Sequence, residues 1–222
     1  MTTNTTTDNQ TNTTEAIVQS GVVIIIRMDN LEQVRAISNA LHKGGVRCLE
    51  IPMTAPNADE IIRDLTSRLP ADAVIGAGTV LTAADANRII DAGARFIVSP
   101  HFVPEIATVC KQRGIANIPG AFSPLEVYTA WKSGAAIVKV FSIQPLGPAY
   151  LSDLLGPYPG IKLMPTGGIN LDNAESFIKA GACAVTIGRD IIGRGPWDAA
   201  ALDDITGKAR IITEKIQQLK SK

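Results

Sequence analysis

The chain has 222 residues, 45% of them hydrophobic, with 21 basic and 21 acidic side chains and a formal net charge of zero. That length and apolar share suffice for one sizeable buried core, and the charge balance excludes the basic surface that a nucleic-acid binder advertises. The three cysteines, Cys48, Cys110 and Cys183, have neither CxxC spacing nor a paired framework, so they read as small buried hydrophobes in a reducing cytoplasm.

The first stretch, to residue 15, is almost all Thr, Asn, Asp and Gln and reads as a disordered polar tail that cannot bury a core. It lacks the basic start and long apolar run of a secretory signal. The apolar run Val22 to Ile26 is far too short to span a bilayer, so no membrane is expected. From residue 16 to 222 the pattern predicts one domain. Strand-like runs fall near residues 22–27, 46–51, 74–78, 95–98, 115–119, 137–141, 161–165 and 183–187, eight in all. Amphipathic stretches separate them: Leu31, Val34, Ile37, Ala40 and Leu41 keep helical spacing, as do Ile61, Ile62, Leu65 and Leu69. A weak repeat recurs in which a helical segment ends at a glycine and enters a short apolar strand, at Gly45, Gly93, Gly134 and Gly181. Each such glycine suits the left-handed position that terminates a helix.

Strands apolar on both faces belong to a parallel sheet covered on both sides. Eight of them alternating with helices predict an α/β fold, a closed (β/α)8 TIM barrel, because closure removes exposed edges. An open doubly wound sheet fits less well, since no GxGxxG follows the first strand.

In such a barrel chemistry sits at the C-terminal ends of strands and in the loops that follow. Lys139 lies inside the apolar run Ala135 to Phe141, where an ammonium costs several kcal/mol, roughly, unless it is paired or gives up its proton. Glu50 falls five residues after Gly45 and Lys139 five after Gly134, so the two reach similar depth late in strands two and six. Arg27 closes strand one. A structural Glu50–Lys139 ion pair and an Arg27–Asp29 surface pair are the plain alternatives. Lys162 comes early in its strand and reads as a solvated or ion-paired residue. Gly167 and Gly168 follow strand seven, while Gly188 and Arg189 follow strand eight, the usual place for a phosphate site in these barrels. Gly78 and Thr79 shape a pocket floor after strand three, and His101 after strand four reads as a bystander. No cluster has metal-ligand spacing, and no cofactor is expected.

A neutral lysine, a carboxylate, an arginine and a phosphate cradle around one mouth define Schiff-base chemistry on a carbonyl compound. The amine attacks, the iminium takes up the electrons of a breaking carbon–carbon bond, and the carboxylate shuttles the hydroxyl proton. The arginine suits the planar carboxylate of a 2-keto acid.

The stretches Gly45 to Ile51, Ile75 to Val80, Ser99-Pro100-His101, Ile118-Pro119-Gly120, Val138 to Phe141, Gly147-Pro148 and Met164-Pro165-Thr166-Gly167-Gly168 resemble the 2-keto-3-deoxy-6-phosphogluconate (KDPG) / 4-hydroxy-2-oxoglutarate (KHG) aldolase family. The resemblance runs from about Val22 to Arg194. It implies a class I aldolase on this barrel, a homotrimer, that releases pyruvate from a 2-keto acid substrate. It makes Lys139 the Schiff-base lysine and Glu50 the acid/base, and it sets Arg27 near the substrate carboxylate. Thr79, Pro100, Phe141 and Thr166 match pocket positions, and Gly167, Gly168 and Gly188 the phosphate end. Two departures stand out. The family's Phe-Pro after the lysine becomes Phe141-Ser142, and Arg189 replaces a family serine at the phosphate end. The rival readings are a phosphate-binding barrel isomerase or epimerase with Glu50 as base, and a non-catalytic sugar-acid-binding relative.

Overall fold

Every predicted strand is present in the computed structural model, which describes residues 4–221, with side chains from residue 9 onward. In chain order the strands are β1 (Val22–Ile25), β2 (Cys48–Pro52), β3 (Val74–Gly78), β4 (Phe96–Val98), β5 (Ala116–Ile118), β6 (Gly120–Ala121), β7 (Val138–Phe141), β8 (Leu163–Thr166) and β9 (Val185–Ile187). The helices are α1 (Asn4–Ser20), α2 (Leu31–Lys43), α3 (Ala58–Arg68), α4 (Ala83–Asp91), α5 (Pro104–Arg113), α6 (Pro124–Lys132), α7 (Gly147–Leu155), α8 (Ala174–Lys179), α9 (Arg189–Ile192) and α10 (Ala199–Lys220). All paired strands are parallel, in the order β5-β4-β3-β2-β1-β9-β8-β7-β6. The fifth predicted strand is split at Pro119, which has no N–H to give a ladder. Its first half pairs with β4 and its second with β7, so β5 and β6 together close the ring. The Lys139 N–H donates to the Pro119 carbonyl at 2.9 Å across that closure.

Side-chain alternation along the strands sorts the core into two bodies. Val22, Ile24, Leu49, Ile51, Ile75, Ala77, Val138 and Val140 face outward against the helices. Val23, Cys48, Val74, Phe96, Val98, Ala116, Ile118 and Met164 fill the barrel interior. Gly76 is glycine for a packing reason: a Cβ there would stand 2.4 Å from the Phe96 ring. The repeat glycines Gly45, Gly93, Gly134 and Gly181 all have φ between +92° and +107°, as helix termination requires.

One expectation is overturned. The polar stretch to residue 15 was expected to be a disordered tail, with the barrel starting at 16; instead α1 runs from Asn4 to Ser20 through that boundary, and residues 1–3 lie outside the described part. Thr13 and Ile17 are fully buried, and Ile17 belongs to the barrel-interior cluster. The helix therefore stops the N-terminal mouth of the barrel. Average composition hid this because a single narrow face, Thr13, Ala16 and Ile17 at i, i+3 and i+4, carries the packing. The α10 end holds the plug in place: Gln217 Nε2 donates to the Gln19 carbonyl at 2.7 Å, and Lys220 Nζ donates to the Val18 carbonyl.

Candidate active site

Two charged side chains break the apolar lining of the barrel. Lys139 on β7 and Glu50 on β2 both occupy inward-facing positions and are 7% and 2% exposed. Their strands are not neighbours, so the two groups face each other across the interior. Among the described residues they form no direct ion pair, which sets aside the reading of a closed structural bridge. Burial pushes the Glu50 carboxyl above its ordinary range, against the pull of Lys139 and Arg27. Burial likewise pulls the Lys139 ammonium below its ordinary range; Glu50 opposes this and Arg27 adds to it. The Lys139 Nζ lies 4.9 Å from the centroid of the Phe141 ring, a cation–π distance.

Glu50 has room only because of Gly78. A Cβ on Gly78 would stand 1.8 Å from Glu50 Oε1, inside the carboxylate itself. Immediately after it Thr79 takes φ +57°, the one positive φ at a non-glycine residue among those described. Strain of that kind collects at functional sites. On the other side, a Cβ on Gly120 would stand 2.0 Å from the Pro100 carbonyl oxygen, so the Pro100 backbone presses against the position paired with Lys139. Thr79 and Pro100 follow the C-terminal ends of β3 and β4, and neither is among the residues lining the cleft above the barrel.

Above the barrel a cleft of about 610 Å³ opens between the C-terminal ends of β1, β7, β8 and β9. It gathers Arg27, Phe141, Thr166, Gly167, Gly168, Gly188 and Arg189 along one wall and floor. Gly167 and Gly168 have φ of +103° and +70°. Both are crowded from above, where a Cβ would stand 2.6 Å from Ser142 Oγ and 2.7 Å from Gln144 Cγ respectively. Arg27 and Arg189 are exposed at the cleft, and among the described residues neither has a carboxylate partner. Arg189 is not paired with its neighbour Asp190, whose Oδ2 accepts from the Leu171 N–H at 2.9 Å. Lys162 is exposed near the opposite end of the barrel and His101 is exposed as well. No group of three His, Cys, Asp or Glu side chains that could hold a metal stands together among the described residues.

Thr186 and Trp197 line the cleft without having been singled out by the sequence pattern, and Gln144 lines it from the loop Ser142-Ile143-Gln144-Pro145 that departs from the family pattern. The signal for Thr186 was available: it is a hydroxyl inside an apolar run, two residues before Gly188. Gln144 and Trp197 sit in loops whose path the pattern does not specify.

A parallel barrel that buries an amine and a carboxyl beneath a cleft with two unpaired guanidinium groups belongs to the class of enzymes acting on anionic carbonyl compounds. Comparison with known proteins narrows the class. A family model described as KDPG and KHG aldolase matches residues 14–207. The chain is 36% identical over 165 residues to a 2-dehydro-3-deoxy-phosphogluconate aldolase of Treponema pallidum, covering 74% of this chain and 78% of that one. It is 30% identical over 175 residues to a probable 2-dehydro-3-deoxy-6-phosphogalactonate aldolase of Rhizobium meliloti, covering 78% and 82%. A solved structure of KDPG aldolase from Legionella pneumophila, with pyruvate captured as a covalent carbinolamine, superposes with a TM-score of 0.76 at 28% identity over 93% of this chain and 97% of that one. The chain belongs to the KDPG and KHG aldolase family.

Proposed function

We propose that this protein is a class I aldolase that cleaves a 2-keto-3-deoxy-6-phospho sugar acid, or 4-hydroxy-2-oxoglutarate, to pyruvate and an aldehyde. The observation that carries this is the buried, mutually unbridged pair of Lys139 and Glu50 beneath a cleft lined by the guanidinium groups of Arg27 and Arg189. Lys139, its basicity lowered by burial, attacks the C2 carbonyl of the keto acid. The carbinolamine loses water to give an iminium. Glu50 takes the proton of the C4 hydroxyl, the C3–C4 bond breaks, and its electron pair moves into the iminium to form an enamine while the aldehyde leaves. Protonation at C3 and hydrolysis of the imine release pyruvate and restore the amine.

The Phe141 ring faces the nitrogen while it is cationic. Arg27 holds the substrate carboxylate by a bidentate pair. Thr79 and Pro100 border the keto-acid half, and Thr166 lies between it and the distal end. At the distal end Gly167, Gly168 and Gly188 bring backbone to an anion, and Arg189 adds a charge-assisted fork. The protein works as a homotrimer in the cytoplasm. Exposed apolar side chains on and before α6, Phe122, Leu125 and Tyr128, support association. Among the described residues no helix is long and apolar enough to cross a membrane.

The test is release of pyruvate from gluconate-, galactonate- and glutarate-derived keto acids, phosphorylated and free. Turnover of at least one of these, abolished by Lys139→Met, is expected. Turnover that survives Lys139→Met would contradict the proposal.

A further inference from the structure

Thr186 Oγ1 is buried, the residue being 3% exposed, and has no hydrogen-bond partner in the protein, although it lines the cleft. Its register neighbour on β8, Thr166, is 4% exposed and its hydroxyl is unpartnered too. A buried hydroxyl left unpaired costs about 1–3 kcal/mol, so a pair of them side by side needs a reason. Neither hydroxyl hydrogen-bonds the other, although either is able to donate or accept. Both lie between the amine level set by Lys139 and the anion end set by Gly167, Gly168 and Arg189. The Gln144 side chain, which leans over Gly168 from the loop after β7, faces the same stretch of the cleft. Thr166, Thr186 and Gln144 are neutral groups able to pair with a hydroxyl.

We infer that Thr186 is a specificity-determining residue, which hydrogen-bonds the hydroxyl on the carbon next to the aldehyde carbon, with Thr166 beside it. The inference rests on the aldolase reading. The C4 oxygen of the cleaved acid comes from the aldehyde carbonyl and belongs to Glu50. The next hydroxyl along the chain is the one that has no assigned partner.

The experiment follows aldol addition of pyruvate to glyceraldehyde 3-phosphate and to its 2-deoxy analogue, 3-oxopropyl phosphate, with borohydride trapping of the pyruvate imine run alongside. Thr186→Val keeps the side-chain shape and removes the hydroxyl. It is expected to lower the preference for the hydroxylated aldehyde about five- to tenfold, the worth of one neutral hydrogen bond. The loss falls on the hydroxylated aldehyde alone, imine trapping is unchanged, and Thr186→Ser restores the preference. The midpoint of thermal unfolding of Thr186→Val is expected to be no lower than that of the unmodified protein, because an unpaired hydroxyl has been removed. Thr186→Ala, which leaves space rather than filling it, is expected to lose the same preference. A trapped imine with unchanged preference in both variants overturns this inference alone. Absence of any imine in the unmodified protein overturns the aldolase reading and this inference with it.

Discussion

At Lys139 the local sequence and the chemistry pull against each other: β-branched and aromatic neighbours build a buried strand, and the strand then has to accept an amine. The result is a lysine with lowered basicity and a glutamate with raised pKa, held apart across the interior. The signs have consequences for stability. A lysine depressed in the folded state contributes stability that is present above its unfolded pKa and lost as pH falls through the folded value. A glutamate raised in the folded state contributes stability that is present below its unfolded pKa and lost as pH rises through the folded value. Removing the amine alone takes away a charge that holds the Glu50 pKa down. Lys139→Met is therefore expected to lose stability, relative to the unmodified protein, as pH rises from about 4.5. The double variant Lys139→Met/Glu50→Gln is expected to lose that dependence, because neither replacement titrates. Thermal unfolding followed from pH 4 to 9 checks both.

Strand parity is the element-scale device that turns a barrel into a site. Alternate residues of β2 and β3 point inward, so Cys48, Glu50, Val74, Gly76 and Gly78 share one interior wall. Two of these are glycines, Gly76 beneath the Phe96 ring and Gly78 beneath the Glu50 carboxylate. Glu50 and Lys139 were legible in the sequence because each is a charge late in an apolar run, at the same offset from a helix-ending glycine. The reason for Gly78 was not legible, because its neighbour Glu50 belongs to another strand and only the register Pro52 to Gly78 brings them together. Gly78→Ala is expected to fold and to displace the carboxylate. A displacement of about 1 Å costs about 10²-fold in turnover. Circular dichroism and kcat measured together check it: full turnover with retained fold would show that Glu50 does not need this position.

For the whole molecule, the order of elements was legible and the tertiary consequences were not. Eight apolar runs separated by amphipathic segments specify a closed parallel ring, and the split at Pro119 leaves that ring intact. The plug formed by α1 was hidden, since Thr-rich composition masks the narrow face that seats Ile17. The cleft was legible only in part. Its glycines and arginines stand at strand ends, where the barrel rule looks for them. Its polar middle, with Thr186 and Gln144, depends on how loops from β7 and β8 fold over one another. All of this architecture converges on a single amine. Borohydride reduction in the presence of pyruvate, followed by peptide mass mapping, tests that convergence most directly. A reduced pyruvyl adduct on the peptide containing Lys139, absent in Lys139→Met, is predicted; no adduct, or one on another lysine, would contradict the account.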